Sequence, residues 1–262
     1  MKSILRGAAI VLAMMPIAAT AQDKAKPEDT EQWSPAVPVV TPGKIDTALP
    51  PSDAIVLFDG TSLDHWQNVA DGAPAGWTVA GGIVTVNKKA GNIETRQSFG
   101  SYQLHLEYRI PANITGSGQA RGNSGLFLAS TGPGDKGYEL QILDSYRNNT
   151  YVNGQAGAIY KQYPPLANPV RKPGEWQAID VVWNKPIFAP DGSVKTPAHV
   201  TAFLNGVLIQ DHVALHGETL YIGKPSYTAY DRAPIKLQAH GDASAPISFR
   251  NIWVREIPDT EG

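Results

Sequence analysis

The sequence predicts an all-β domain, a sandwich of two large sheets of the jelly-roll kind, and three observations carry that expectation. Short runs of alternating apolar and polar residues recur along the chain, Gly, Asn and Asp turn signals separate them, and no segment keeps a 3.6-residue apolar period over three turns. Strands without intervening helices argue against βαβ units. The stretch they occupy, roughly 200 residues, exceeds an immunoglobulin-type sandwich and suits a jelly roll.

The chain begins with Lys2 and Arg6, then a largely apolar run over 8–19, then Ala19-Thr20-Ala21, whose small residues suit signal peptidase. This predicts a signal peptide over 1–21, cleavage after Ala21 and a periplasmic or secreted protein. The run is shorter than the ~20 apolar residues that span a bilayer. Residues 22–53 are polar and rich in proline, and are expected to form an extended linker without chemistry of its own. The β domain is expected over 54–258.

Within it, residues 54–58 form a short apolar run ended by Asp59-Gly60, and 63–67 brings Trp66 as a core anchor. Residues 77–80 and 83–86 alternate about Gly81-Gly82, a hairpin signal. Further strands are expected at 101–110, 123–129, 138–144, 157–160 and 176–183. Residues 199–204 and 207–213 form a second hairpin about Asn205-Gly206, and 235–240 and 247–254 close the domain.

Composition removes several function classes. Of 262 residues only 18% are charged and the formal net charge is −2, so nothing favours nucleic acid or a membrane surface. Cysteine is absent, which excludes disulfides, zinc–thiolate sites and thiol nucleophiles. No dinucleotide fingerprint occurs, and Arg121-Gly-Asn-Ser-Gly125 lacks the ending of a phosphate loop.

Three strands carry chemistry on their polar faces. In 138–144 Glu139 and Gln141 alternate with Tyr138, Leu140 and Ile142, and Asp144 stands at the exit. In 101–110 the polar set is Gln103, His105, Glu107 and Arg109; in 235–240 it is Lys236, Gln238 and His240. If the three share a sheet, these faces form one floor of acids, bases and amides. Each residue also has a structural alternative. Glu139 could pair with Arg109, the Glu107 and Arg109 face could be a sheet ion pair, and Asp144 could be a turn residue. Tyr160 and Trp176 suit either sugar stacking or a core.

The ordered set Phe58-Asp-Gly-Thr-Ser-Leu63 with Trp66, Glu107-Tyr-Arg109, Asn123-Ser-Gly125, Tyr138-Glu-Leu-Gln-Ile-Leu-Asp144, Gly157-Ala-Ile-Tyr160, Gly174-Glu-Trp176, Asn205-Gly206, Pro234-Ile-Lys-Leu-Gln-Ala-His-Gly241 and Phe249-Arg-Asn-Ile252 resembles the 3-keto-disaccharide hydrolase family over about 54–257. The resemblance implies a concanavalin A-like jelly-roll β-sandwich acting on glycosides whose sugar carries a ketone at C3. An insert at 189–197 departs from the family pattern and is expected to be a hairpin tip remote from the chemistry.

A C3 ketone acidifies the C2 proton, so β-elimination of the C1 aglycone and re-addition of water become feasible with a base, an acid and an electrophile for the ketone oxygen. On this reading Glu139, His240 and Asp144 form the chemical core. Gln141, Gln238, Asn123, Arg109, Lys161 and Glu107 position the sugar, with Arg109 or Lys161 polarising the ketone. A divalent metal ion held by Glu139, Asp144 and His240 is compatible with the donor set, although no metal-ligand spacing supports it. A separate oxidoreductase would supply the keto-sugar. Two alternatives stand beside this expectation: a non-catalytic carbohydrate-binding module, and a conventional glycosidase built on Glu139 and Asp144, whose odd separation disfavours a shared face.

Overall fold

The structure, a computed structural model, describes residues 25–42 and 49–259. The expected signal peptide over 1–21 lies outside the described residues. In chain order the strands are β1 (Ile55–Phe58), β2 (Trp66–Asn68), β3 (Thr78–Ala80), β4 (Ile83–Thr85), β5 (Ile93–Thr95), β6 (Tyr102–Arg109), β7 (Ser124–Ser130), β8 (Gly137–Ile142), β9 (Trp176–Asn184), β10 (Ile187–Phe188), β11 (Val194–Thr196), β12 (His199–Leu204), β13 (Val207–Ala214), β14 (Lys236–Leu237) and β15 (Ser248–Glu256).

They form two antiparallel sheets that face each other. The larger runs β13-β12-β9-β6-β15-β4-β3, with β1 also paired to β15; the smaller runs β2-β5-β14-β7-β8. Both hairpin turns read from the sequence are present. Gly81 and Gly82 at φ 58° and 77°, and Asn205 and Gly206 at φ 54° and 77°, have the two positive φ values that suit tight turns between twisted strands. The 189–197 insert is the tip of the separate β10-β11 hairpin.

Alternation decides what lies between the sheets. Tyr102, Leu104, Leu106 and Tyr108 of β6 point inward and meet Tyr138, Leu140 and Ile142 of β8 in one buried core. Tyr138 packs 5.4 Å from the Trp183 ring, and the Tyr102 hydroxyl donates to the Leu128 carbonyl at 2.6 Å, tying sheet to sheet. Trp66 is fully buried, with its indole N–H satisfied by the Leu57 carbonyl at 2.8 Å.

The same alternation corrects the idea of a single polar floor. Strand β6 belongs to the larger sheet, so Glu107 and Arg109 lie on the far outer face of the sandwich from Glu139. There Glu107 accepts hydrogen bonds from Arg250 Nε at 2.6 Å and Asn251 Nδ2 at 3.0 Å. Arg109 and Arg250 stack on the Trp176 ring, 4.7 and 4.1 Å from its centroid. Both acid and base are spent on structure.

His105 shares this cluster, with Nδ1 2.7 Å from Asp180, Nε2 3.7 Å from Glu107 and its ring stacked on Trp253. Burial opposes its charge, but the hydrogen bond to Asp180 and the attraction of Asp180 and Glu107 outweigh burial and raise it to about 9. Burial likewise opposes Glu107 ionisation and is outweighed by the neighbouring His105 and by the bonds from Asn251 and Arg250, which lower it to about 2. The His105 contribution to stability is therefore complete below about pH 6.5 and is lost as pH rises through about 9. The Glu107 contribution is complete above about 4.5 and is lost as pH falls toward 2. Urea unfolding at pH 9.5 is expected to give a free energy lower than at pH 6 by on the order of 2 kcal/mol, allowing for the half-exposed Asp180. His105→Gln should flatten that slope, and an unchanged slope in the variant would contradict the assignment.

Candidate active site

The outer face of the smaller sheet carries the site. Across it, Lys236 of β14 pairs with Phe127 of β7, which pairs with Glu139 of β8. In the next row Gln238, whose N–H bonds the Gly125 carbonyl at 3.0 Å, lies beside Gly125, which pairs with Gln141. Neighbouring strands stand ~4.8 Å apart. A residue without a side chain between two glutamines therefore opens the floor. A Cβ on Gly125 would come within 2.5 Å of Glu139 Oε1 and 2.9 Å of the Phe127 ring, so the glutamate leans into the space that glycine leaves.

Above this floor is a cavity of about 520 Å³ whose lining includes Glu139, Gln141, Gln238, His240 and Asn123. With Tyr160, which also lines it, six residues singled out in the sequence thus converge. Glu139 is 6% exposed, and no described residue hydrogen-bonds its carboxyl group. Burial chiefly, with the nearby Asp135 charge, raises it to about 8 against the opposing pull of Lys236. It is protonated at neutral pH.

His240 is oriented from behind. Its Nδ1 lies 2.8 Å from Asp242 Oδ2, while Asp242 Oδ1 accepts from the Ser244 N–H at 2.7 Å and from Lys88 Nζ at 3.1 Å. Burial would raise Asp242, but its bonds to Ser244, His240 and Lys88 hold it below the usual carboxylate range. The Asp242 N–H also approaches Nδ1, at 3.3 Å, but an ionised carboxylate only accepts, so the shorter 2.8 Å contact favours the proton on Nδ1 and leaves Nε2 as the free nitrogen.

The amides form a linked row. Gln141 Nε2 donates to Asn123 Oδ1 at 2.7 Å, and Asn123 Nδ2 donates to the Gln119 carbonyl at 2.8 Å. Gln238 Oε1 is buried and accepts no hydrogen bond from any described residue, which marks it as an acceptor for a ligand hydroxyl. Opposite, the Tyr151 and Tyr160 hydroxyls meet at 2.8 Å. Burial raises both, Tyr151 to about 12 and Tyr160 further, with Glu139 reinforcing the effect, so both stay protonated. One hydroxyl donates to the other, and one O–H remains for a ligand.

The remaining expected residues lie elsewhere. Asp144 is fully buried outside the cavity, 2.7 Å from Arg121 Nε, and accepts from the Tyr146 N–H at 3.1 Å in a turn. Lys161 has spent its ammonium group on the carbonyls of Pro27 at 2.7 Å and Tyr221 at 3.0 Å. Lys236 is buried over Phe127 and donates to the carbonyls of Gly132, Gly134 and Lys136, fixing the turn that presents Asp135 to the cavity. The ligand set Glu139, Asp144 and His240 is therefore not assembled, since Asp144 is committed to Arg121. Among the described residues no group of three or more His, Cys, Asp or Glu is placed to hold a metal ion.

Sequence reasoning missed Gln119, Tyr151, Thr219, Tyr221, Asp135 and Glu31, all of which line the cavity, and Asp242 behind His240. Only Asp242 had a local signal, the His240-Gly241-Asp242 spacing that lets a turn carboxylate reach back to the ring. The others come from loops and from segments distant in sequence.

The profile of the 3-keto-alpha-glucoside-1,2-lyase-like domain matches residues 53–255. The chain is similar to a crystal structure of a protein from Parabacteroides distasonis provisionally designated a glycosyl hydrolase, with 47% identity and a TM-score of 0.75 over 94% of this chain and 100% of the other. A second protein of that organism and designation shares the fold at 20% identity, with a TM-score of 0.58 over 82% of this chain and 100% of the other. No curated protein matches the chain.

Proposed function

Because the chain belongs to the 3-keto-alpha-glucoside-1,2-lyase-like domain family, it is a carbohydrate-processing enzyme, and we propose that it cleaves 3-keto-glycosides by elimination across C1 and C2 followed by hydration. The observation that carries this reading is the pairing, in one cavity, of a carboxyl group kept protonated by burial with a histidine whose Nε2 is left basic. A carboxyl group that holds its proton and an imidazole with a free ring nitrogen, facing one cavity, can serve as an acid and a base.

His240 Nε2 removes the C2 proton of the bound keto-sugar. The electron pair moves into the C2–C3 bond and charge gathers on the C3 oxygen, which the Tyr151–Tyr160 hydroxyl pair stabilises by donation. Collapse of the enolate forms the C1–C2 double bond and expels the aglycone oxygen, which takes its proton from Glu139. The product is a 2-hydroxy-enone. Water then adds at C1 as Glu139, now a base, accepts its proton, and C2 regains one from His240, giving the free 3-keto-sugar. Gln238, Gln141 and Asn123 orient the ring through its hydroxyls. No ring-distorting cationic intermediate is needed, and the Glu139–Asp144 pair of a conventional glycosidase is not formed.

The C3 ketone is made by a separate oxidoreductase, and the export inferred from the N-terminal residues belongs to the same proposal; cell fractionation checks it. The elimination itself is tested by placing deuterium at C2 of a 3-keto-glucoside. A primary isotope effect on aglycone release, with transient ultraviolet absorbance from the enone, is expected. Release without an isotope effect and without washout of the label into solvent would overturn the C2 step.

The open floor gives a second test. Gly125→Ala should push Glu139 away and cut kcat about 10- to 100-fold, since a displacement near 1 Å at the reacting group has that order of effect. Thermal melting should fall as well, because the added Cβ also meets the buried Phe127 ring. Wild-type turnover in Gly125→Ala would contradict the placement of Glu139.

A further inference from the structure

The family domain begins at residue 53, yet Glu31 lines the same cavity as Glu139, Gln238 and His240. The segment that carries it was expected to be a linker without chemistry. In the structure it is fastened to the domain by groups that are themselves buried. Asn153, fully buried, donates from Nδ2 to the Thr30 carbonyl and accepts at Oδ1 from the Gln32 N–H, each at 2.9 Å. The Val152 N–H donates to the Gln32 carbonyl at 2.5 Å, and Trp33 packs edge-on to Tyr151 with centroids 6.1 Å apart. Lys161, 8% exposed and in a left-handed backbone conformation, holds the Pro27 carbonyl. Further along, Asn168 bonds Val40 and Pro38 through its backbone.

Fixing a residue costs about 1–2 kcal/mol of backbone entropy, so a spacer is not held this way by chance. Between its anchors the Glu31 side chain is 16% exposed and stands 3.9 Å from Lys161 Nζ. We infer that residues 26–33 are a wall of the sugar site, and that Glu31 is a specificity residue accepting hydrogen bonds from sugar hydroxyls. The inference rests on the proposed function. A carboxylate–hydroxyl bond of this kind forms in the ground state and persists through the reaction, so its loss raises KM and leaves kcat in place.

The test uses the full chain and a 3-keto-glucoside with a nitrophenyl aglycone. Glu31→Gln is expected to raise KM about ten-fold with kcat nearly unchanged, in line with loss of one charge-assisted hydrogen bond, and with the melting temperature unaltered. Asn153→Ala, which releases the wall without touching the cavity, should raise KM in the same way, whereas a merely structural anchor would lower the melting temperature and leave KM alone. Turnover by wild type with KM unchanged in Glu31→Gln would overturn this inference and leave the functional reading standing. No turnover by wild type would overturn the functional reading, and the inference with it.

Discussion

Glu139→Gln is expected to lower kcat on a 3-keto-glycoside with a poor, alkyl leaving group by about 10³-fold, within the range general acid catalysis supplies. The side chain keeps its shape and loses its transferable proton. Two further readings separate an acid from a mere contact. The defect should shrink toward about ten-fold when the aglycone is 4-nitrophenol, which leaves as an anion without help. The pH profile should change as well. Burial raises Glu139 to about 8, so the acid is present below that value and is lost as pH climbs through it. Wild type should therefore show an alkaline limb near 8 that Glu139→Gln lacks. A defect equal for both leaving groups, with the limb intact, would remove Glu139 from the acid role.

His240→Ala is expected to lower kcat by about 10²- to 10⁴-fold whatever the aglycone, since C2 proton removal precedes departure of every leaving group. Exchange of the C2 proton with deuterated water should vanish in the variant and return in part with added imidazole. Asp242→Asn should give a smaller loss, because the imidazole remains but loses the carboxylate that selects its tautomer. Proton exchange persisting in His240→Ala would assign the base to another residue.

The alternation of Tyr138, Leu140 and Ile142 against Glu139 and Gln141 gave both the inward face and the candidate acid, because a strand's period of two leaves little choice once one face must be buried. His240 and Gln238 were legible for the same reason. The pattern of β6 is equally clean, yet its polar residues serve the opposite outer face. Which sheet a strand joins is a long-range pairing that no local period encodes. Asp144 was ambiguous because it leaves the strand, and the structure turns it to Arg121. Strand β5 has three residues, too few to show alternation, and residues 157–160, expected as a strand, cover the β8 edge through the Ala158 and Ile159 backbone. The segment carrying Glu31 was hidden for another reason. It docks through backbone groups and the buried Asn153 and Lys161, so its own composition stays that of a linker.

The most direct measurement is aglycone release from two matched glucosides, one native and one oxidised at C3, by wild type and Glu139→Gln. Release from the keto-glucoside alone, with the enone detected and the rate lost in the variant, is the predicted result. Release from the native glucoside at a comparable rate would contradict the account in favour of a conventional glycosidase. Binding of both sugars with release from neither would contradict it in favour of a carbohydrate-binding module.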